Sequence, residues 1–228
     1  MFKDLLRIIF PDLCIHCEKP LVGSEKHLCT HCVTEIPWTN HAAMPNNETE
    51  QRLCGRIRCE AAAALMTFAK GNVTQSIAHH IKYYGRTTLA TQFGRILGME
   101  LKQSGRFENI DFIVPVPLHW FKKIRRGYNQ CDYICQGISE TLNIPILKGN
   151  LKRTKYTRSQ THKNRIERQK NMQSVFAIRH PEQFQGKHIL LVDDTITTGS
   201  TFDGCYQALK SIPDLHISVA ALGLVKQH

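Results

Sequence analysis

Two adjacent acids followed by a hydroxyl-rich turn are the residues best suited to chemistry in this sequence. Asp193 and Asp194 come directly after the apolar run 189–192, and a helical pattern begins near residue 201. Backbone N–H groups and the helix dipole at such a turn bind phosphate, while paired carboxylates accept hydrogen bonds from ribose hydroxyls, directly or through Mg²⁺. The stretch predicts a ribose-phosphate site, formed by Asp193, Asp194, Thr195, Thr197, Thr198, Gly199, Ser200 and Thr201. An N-capped helix start also explains the hydroxyl groups, but it does not require a double acid.

Four cysteines near the N-terminus have the spacing of a metal site. Cys14 and Cys17 form one Cys-x-x-Cys pair, and Cys29 and Cys32 form a second pair eleven residues later. Two such pairs place four thiolates around one tetrahedral Zn²⁺. Residues 11–40 hold little apolar material, so the metal is expected to supply much of the local folding energy. Buried reduced cysteines or a redox pair are the alternatives.

The remaining cysteines do not extend this pattern. Cys54 and Cys59 lack a matching pair, so we expect a single structural zinc. Cys131, Cys135 and Cys205 fall on predicted helices and are expected in the core. Nine cysteines in a chain of 228 residues do not resemble a disulfide-stapled secreted domain, and this usage favours the cytoplasm.

Basic residues indicate an acidic partner. The formal charge of +11 does not choose between nucleic acid, a phosphorylated small molecule and an anionic surface. Nine Lys or Arg residues and one acid lie between Lys148 and Lys170, which predicts a basic excursion from the core that could contact single-stranded DNA. Lys82, at the predicted end of a helix, either contacts phosphate or complements that helix terminus.

Apolar strands alternate with helical patterns over most of the chain. This alternation predicts an α/β fold, a mostly parallel sheet with helices on both faces. The predicted strands are 61–68, 112–116, 189–192 and 217–224, and the predicted helices are 73–85, 88–102, 129–142 and 201–212. A linker predicted at residues 45–50 separates a small module, 1–45, from the main domain, 46–228.

The ends and hydropathy of the chain suggest neither export nor a membrane span. Residues 1–10 are apolar but interrupted by charges and lack a cleavage site, so they predict a short amphipathic helix rather than a signal peptide. No stretch approaches the roughly 18 to 20 apolar residues that a membrane span needs. We therefore expect a cytoplasmic protein with no membrane span.

The acidic motif resembles the binding motif for phosphoribosyl diphosphate (PRPP) of type I phosphoribosyltransferases, Val-Asp-Asp-x-x-Thr-Thr-Gly-Ser/Thr-Thr. Further segments appear in the order found in the ComF/GntX family of competence-type proteins. They are Lys82 to Arg86, Val114 to Pro117, Arg125 to Gln130, Ser159-Gln160 and Arg168 to Asn171 with Phe176. The resemblance covers nearly the full length of the chain.

The resemblance implies a cysteine-rich zinc module followed by a type I phosphoribosyltransferase-like domain that binds PRPP with Mg²⁺. In such domains the loop after an earlier strand meets the pyrophosphate, which here selects Arg125 and Arg126. The family associates the chain with natural competence and the handling of incoming DNA. The implied partners are single-stranded DNA, through Lys148 to Lys170 and the zinc module, and proteins of DNA uptake or recombination.

An enzyme of nucleotide metabolism is the alternative. A phosphoribosyltransferase would use the same PRPP site, with Mg²⁺ and cations stabilising the charge that develops as pyrophosphate leaves. The sequence shows no identifiable pocket for an attacking base or amine. The acceptor and the occurrence of turnover stay open.

Overall fold

The computed structural model describes residues 11–154 and 175–226. The amphipathic helix predicted for residues 1–10 lies outside the described residues. So do residues 155–170 of the predicted basic segment, including Thr157 to Gln160, Arg165 and Arg168. No helix in the described part of the chain has both the length and the apolar character needed to cross a bilayer.

A four-stranded parallel sheet forms the centre of the fold. Its strands are β1 (Ala62–Phe68), β2 (Phe112–Pro115), β5 (His188–Ile196) and β6 (His216–Val225), in the order β1-β6-β5-β2. Asp193 pairs in register with Ala221, and Pro115 pairs with Val192. The carboxyl ends of β2 and β5 therefore lie side by side, where open α/β sheets bind ligands.

Seven α-helices and one short 3₁₀ helix, Pro181–Phe184, are present in the described residues. The α-helices are α1 (Thr30–Thr34), α2 (Glu48–Leu53), α3 (Val73–Tyr83), α4 (Thr87–Ser104), α5 (Trp120–Arg126), α6 (Gln130–Leu142) and α7 (Ser200–Leu209). Asn72 caps α3 by accepting hydrogen bonds from two backbone N–H groups, and Asn129 caps α6 in the same way through Cys131 N–H. These Asn side chains satisfy donors that a helix start leaves unpaired.

Both faces of the sheet are buried, which explains the continuous apolar runs. Along β5, Leu190 packs into the core beneath α3, α4 and α6, whereas Ile189 and Leu191 pack into the opposite core with α2 and α7. Successive strand residues point to opposite faces, so a strand covered on both sides needs no polar alternation. The predicted α/β class with a parallel sheet and helices on both faces is confirmed.

Helices α4 and α6 touch through their backbones. A Cβ atom added to Gly94 would lie 2.3 Å from the carbonyl oxygen of Ile134, and one added to Gly137 would lie 2.1 Å from that of Thr91. Both distances are far below van der Waals contact. Glycine at these two positions lets the helices approach without an intervening layer of side chains.

The first part of the described chain, residues 11–45, is called the Cys module here. Cys14, Leu28, Cys32 and Ile36 belong to the same buried cluster as residues of α3 and α4. His27 Nε2 also lies 3.2 Å from Thr88 Oγ1 at the start of α4. The module therefore packs directly on the main sheet domain.

The structure contains elements that the sequence patterns did not predict. Helix α2 occupies residues assigned to a linker, with Asn47 accepting a hydrogen bond from Glu50 N–H. Helix α5 forms where a basic loop was expected. Strands β3 (Leu151–Arg153) and β4 (Phe176–Ile178) pair antiparallel within and just after the predicted basic excursion. Strand β5 continues through the two acids to Ile196, because its pairing with β6 continues to Leu224.

Candidate functional site

The two acids lie buried at the carboxyl end of β5. Asp193 and Asp194 are each only 8% exposed. Asp193 Oδ1 accepts hydrogen bonds from Asp194 N–H at 2.8 Å and from the Cys131 thiol at 3.3 Å. Gln130 Nε2 donates to Asp194 Oδ2 at 3.0 Å. The first residues of α6 therefore hold both carboxylates in place.

Lys82 supplies the positive charge nearest to the pair. Its Nζ lies 3.0 Å from Asp194 Oδ2 and 3.2 Å from Thr195 Oγ1. Burial works to lower the pKa of Lys82, but the neighbouring charge and hydrogen bond of Asp194 outweigh it and raise the pKa. Lys82 therefore forms an ion pair with a site carboxylate. The sequence had suggested either a phosphate contact or an interaction with the helix terminus, and neither included this ion pair.

Asp193 carries an incompletely balanced charge. Burial, and then the adjacent charge of Asp194, raise the pKa of Asp193 to about 7, against lowering contributions from its hydrogen bonds and Lys82. Burial disfavours an ionised carboxyl group, and a neighbouring like charge adds to that effect. The pair thus forms a site with room for more positive charge.

A cavity of about 340 Å³ opens in front of these acids and is called the carboxylate pocket here. Its charged lining consists of the two acids and four cations, Lys82, Lys122, Arg126 and Arg153. Burial, followed by the charges of Arg153, Arg126 and Lys82, lowers the pKa of Lys122. Crowded cations of this kind are favourable beside a strongly anionic ligand.

The hydroxyl-rich turn forms one end of the pocket. Thr195, Thr197 and Thr201 line it, and Gly199 takes a left-handed conformation (φ +78°) immediately before α7. A Cβ atom on Gly199 would come within 2.8 Å of Leu53 Cδ2. Both the backbone conformation and the space therefore require glycine here.

Helix α2 supports this turn from outside. Arg52 donates through Nη1 to the carbonyl of Thr197 at 2.7 Å and to that of Val225 at 3.1 Å. The same guanidinium group pairs with Glu48 at 2.8 Å. Arg52 thus ties the turn after β5 to the end of β6.

Most of the predicted ribose-phosphate residues come together around one pocket. Asp193, Asp194, Thr195, Thr197 and Thr201 line it, as do Lys82 and Arg126. Thr198, Gly199 and Ser200 form the turn behind this wall, where the Thr198 hydroxyl lies 3.2 Å from that of Ser200. Arg125 lines a smaller neighbouring cavity of about 180 Å³ together with Lys82, Tyr83, Lys122 and Arg126. Their roles toward a ligand remain predictions.

Several pocket residues were not predicted to form the site. Gln130 and Cys131 contact the acids from α6, and Lys122 and Arg153 contribute cations from α5 and β3. Cys131 is buried, as expected for a core residue, but its thiol also donates to Asp193. Gln130 ends the segment Arg125 to Gln130 that resembles the ComF family, and it follows an Asn cap at a helix start; these were the signals that could have identified it.

The four predicted zinc ligands meet at one point in the Cys module. The Sγ atoms of Cys14, Cys17, Cys29 and Cys32 all lie within 4.8 Å of one another. A tetrahedral zinc with bonds of about 2.3 Å suits this spacing. Burial acts to raise the pKa of the Cys14 thiol, but backbone N–H groups of Cys17, Cys29 and His16 lower it to about 6. Burial and the neighbouring thiols raise the pKa of Cys32, so the backbone contacts favour the metal-binding thiolate at Cys14 in particular.

Two curated bacterial proteins resemble this chain over most of its length. Competence protein F of Haemophilus influenzae is 28% identical over 219 residues, covering 92% of this chain and 95% of that protein. The DNA utilization protein YhgH of Escherichia coli K12 is 31% identical over 201 residues, covering 84% and 87%. No model of a known protein family matches the chain.

Among solved structures the likenesses are looser. Glutamine PRPP amidotransferase from B. subtilis, complexed with ADP and GMP, gives a TM-score of 0.45 at 17% identity and covers 64% of this chain. The match spans only 30% of the length of that enzyme. A hypothetical protein from Neisseria gonorrhoeae with bound ppGpp gives a TM-score of 0.37 at 17% identity, covering 61% of this chain and 69% of that one.

Proposed function

This chain belongs to the ComF family of competence-type proteins, and on that premise we propose that it binds PRPP, or a closely related ribose phosphate, and acts in the handling of incoming single-stranded DNA. The ligand proposal rests on one observation. Two buried carboxylates open into a pocket whose other charged groups in the described chain are cations, and the pocket ends at a hydroxyl-rich helix start. A ribose carrying phosphates presents the groups that complement these walls.

Each wall of the pocket has a role in this proposal. The paired acids accept hydrogen bonds from the ribose hydroxyls, while N–H and hydroxyl groups from Thr197 to Thr201 receive the 5-phosphate. Arg126 and Arg153 face the pyrophosphate, because guanidinium groups bind phosphate oxygens in pairs, and the ammonium group of Lys122 adds a further positive charge there. Arg125, in the adjoining cavity, extends this cationic side.

Mg²⁺ fits the acidic side of the pocket. Carboxylate oxygens are the ligands that Mg²⁺ prefers, usually together with substrate phosphates. The raised pKa of Asp193 reflects buried negative charge that Lys82 does not fully balance, and a divalent cation would balance it. When bound, Mg²⁺ would neutralise the diphosphate and orient it.

Titration calorimetry with PRPP and Mg²⁺ tests the ligand proposal. We expect saturable binding by the parent protein and at least a roughly 100-fold loss in Asp194→Ala, because a charge-assisted contact and the cation site disappear together. Asp111→Asn is the matched control, since Asp111 pairs with Lys187 just before β2, at the amino ends of the strands and away from the pocket. Parent-like affinity in Asp194→Ala would refute the site.

Partial ligands separate the two halves of the pocket. Arg126→Gln should weaken pyrophosphate while leaving ribose 5-phosphate nearly unaffected. Thr201→Val should do the reverse, because it removes a hydroxyl from the phosphate turn. Equal losses for both ligands in both variants would contradict the proposed orientation.

The DNA proposal draws on the names of the relatives and on the basic composition of Lys148 to Lys170. We propose that this segment and the Cys module contact DNA phosphates in the cytoplasm, beside proteins of DNA uptake or recombination. Binding should fall steeply with salt, because phosphate contacts release counterions. A variant with residues 148–170 neutralised should lose most of that salt dependence in fluorescence anisotropy, and unchanged binding would exclude the segment.

Phosphoribosyl transfer is a second candidate function. Asp193 lines the pocket and has a pKa raised to about 7, which suits a group that accepts a proton at neutral pH. A transferase would release pyrophosphate from PRPP when a nucleobase or amine acceptor is added. Release that depends on an acceptor and disappears in Asp193→Asn would establish turnover.

A further inference from the structure

We propose that helix α5 presents a stacking surface for single-stranded DNA, next to the carboxylate pocket. This α5 surface consists of Trp120, Phe121, Lys123, Ile124 and Arg125. The inference rests on the DNA half of the proposed function, but it assigns the contact to residues outside the basic segment and the Cys module.

The first observation is that α5 exposes its large apolar side chains. Trp120 is 61% exposed, Phe121 is 50% exposed and Ile124 is 72% exposed. No residue of this helix is buried. An ordinary surface helix turns its apolar side chains toward the core, whereas at least half of the surface of each of these three side chains is accessible to a ligand.

The second observation is the charge that accompanies these apolar side chains. Four of the seven residues of α5 are Lys or Arg, and residues 112–131 contain no acid at all. Here two adjacent rings are followed by four cations in the same helix. Rings beside cations suit single strands, because bases stack on the rings while the cations contact the phosphates. A neutral protein partner would not require this density of like charge.

The third observation is that the α5 surface continues into the carboxylate pocket. Lys122 and Arg126, one helical turn apart, line that pocket. Arg126 also lies over the ring of Tyr83, with its guanidinium carbon 5.4 Å from the ring centroid. Tyr83 is itself 64% exposed. A strand stacked on Trp120 and Phe121 would therefore bring its phosphates toward the cations of the pocket.

Single-stranded DNA fits these features better than duplex DNA does. A ring can stack on a base only when that base is not already stacked within a duplex. Helix α5 has only seven residues, about two turns, so it offers two rings rather than a long reading helix. An anionic membrane surface would also attract basic and aromatic residues, and the experiment below includes it as an opposing outcome.

Tryptophan fluorescence gives a direct test, because the chain has only two tryptophans, Trp38 and Trp120. In full-length Trp38→Phe, all tryptophan emission comes from Trp120. We expect an oligo-dT strand to quench this emission as bases stack on the indole, and a duplex of equal length to quench it far less. In the matched variant Trp120→Phe, where Trp38 is the reporter, oligo-dT should leave the emission nearly unchanged.

Affinity measurements separate stacking from general attraction. By anisotropy with oligo-dT, Trp120→Leu should bind about tenfold more weakly, because one base–ring stack is worth about 1–3 kcal/mol. Trp120→Phe should stay within about threefold of the parent, since it keeps a ring. The exposed position of Trp120 means that neither variant removes core packing, and circular dichroism checks the fold of both.

The outcomes distinguish this inference from the proposed function. Suppose that oligo-dT does not quench Trp120, that Trp120→Leu binds like the parent, and that neutralising residues 148–170 abolishes binding. This combination would overturn the α5 surface but would leave the proposed DNA function intact. Absence of oligo-dT binding by the parent at low salt would overturn both. A blue shift with anionic phospholipid vesicles but no response to oligo-dT would also overturn the inference, in favour of a membrane contact.

Discussion

The Cys module draws all four of its thiols from one short stretch between Cys14 and Cys32, whereas the carboxylate pocket collects its charged residues from Lys82 to Asp194. In the module, a local spacing motif contains the whole site. In the pocket, the acids form a motif, but the cations around them come from α3, α5 and β3. The fold alone brings those groups together.

This difference separates the module, which is expected to depend on metal for stability, from the pocket, which is the predicted ligand site. The module has few apolar residues of its own and is expected to depend on its metal. The pocket sits on a sheet buried on both faces, but it holds two carboxylates at the expense of stability, since one of them has a raised pKa. A fold can carry such a cost only when its remaining core is sufficient.

Removal of one thiol should have the largest effect, and it should begin in the module. Cys14→Ser is expected to lose bound zinc, because a structural zinc contributes on the order of 10 kcal/mol to the folding of its site. Metal analysis and thermal unfolding measure this, with Cys54→Ser, an exposed cysteine outside the cluster, as the control. Full zinc content in Cys14→Ser would show that the module does not hold metal through its four thiols.

A methyl group at the contact between α4 and α6 should have the next largest effect. Gly137→Ala places a Cβ about 2.1 Å from the carbonyl oxygen of Thr91, so the helices must move apart at a cost of about 1–3 kcal/mol or more. Urea unfolding measures the loss. Gln136→Ala, an exposed neighbour on the same helix, should change stability by less than about 0.5 kcal/mol. Equal stability of both variants would contradict the close packing.

The smallest expected effect concerns the pH dependence of stability. The unfolded pKa of Asp193 lies near 3.9, and its folded pKa is raised to about 7. Between these values the folded state binds more protons, so this group makes stability fall as pH rises from about 4 to about 7. Asp193→Asn should therefore stabilise the protein at pH 8, by about 1 kcal/mol or more, but not at pH 4.

Unfolding in urea at the two pH values tests the prediction without assigning other titrating groups, because the comparison is between variant and parent. Cys131 donates to Asp193, so Cys131→Ala should move the pKa of Asp193 further upward by removing a bond to the charged form. A variant-to-parent difference that is the same at pH 4 and pH 8 would show that the pKa of Asp193 is not raised.

The sequence predicted the main α/β elements because their patterns are long and continuous. The runs that became β1, β2, β5 and β6 are buried on both faces, so their composition alone marks them as strands. The double acid and the paired cysteines were equally visible, since each motif is contiguous. For these features, a short continuous stretch of sequence is sufficient to predict the element or the candidate site.

The short elements and the composite wall of the pocket were not predictable in the same way. Helix α5 and strand β3 are basic, and their sequences resemble solvent-exposed loops. Both segments are too short for hydrophobic periodicity to distinguish a helix or a strand from a loop. Gln130 belongs to a segment that resembles the ComF family, but its contact with Asp194 depends on how α6 packs. The cap at Asn47 with Glu50 did offer a signal for α2, although proline and polar residues nearby suggested a linker.

The glycine contact between α4 and α6 also has a mechanical consequence. Two helices that meet backbone to backbone have no side-chain layer whose rotamers can absorb a displacement, so they behave as one stiff plate. At the start of α4, Thr88 contacts His27 of the Cys module, and at the start of α6, Gln130 contacts Asp194. The module and the carboxylates are thus connected through one closely packed pair of helices.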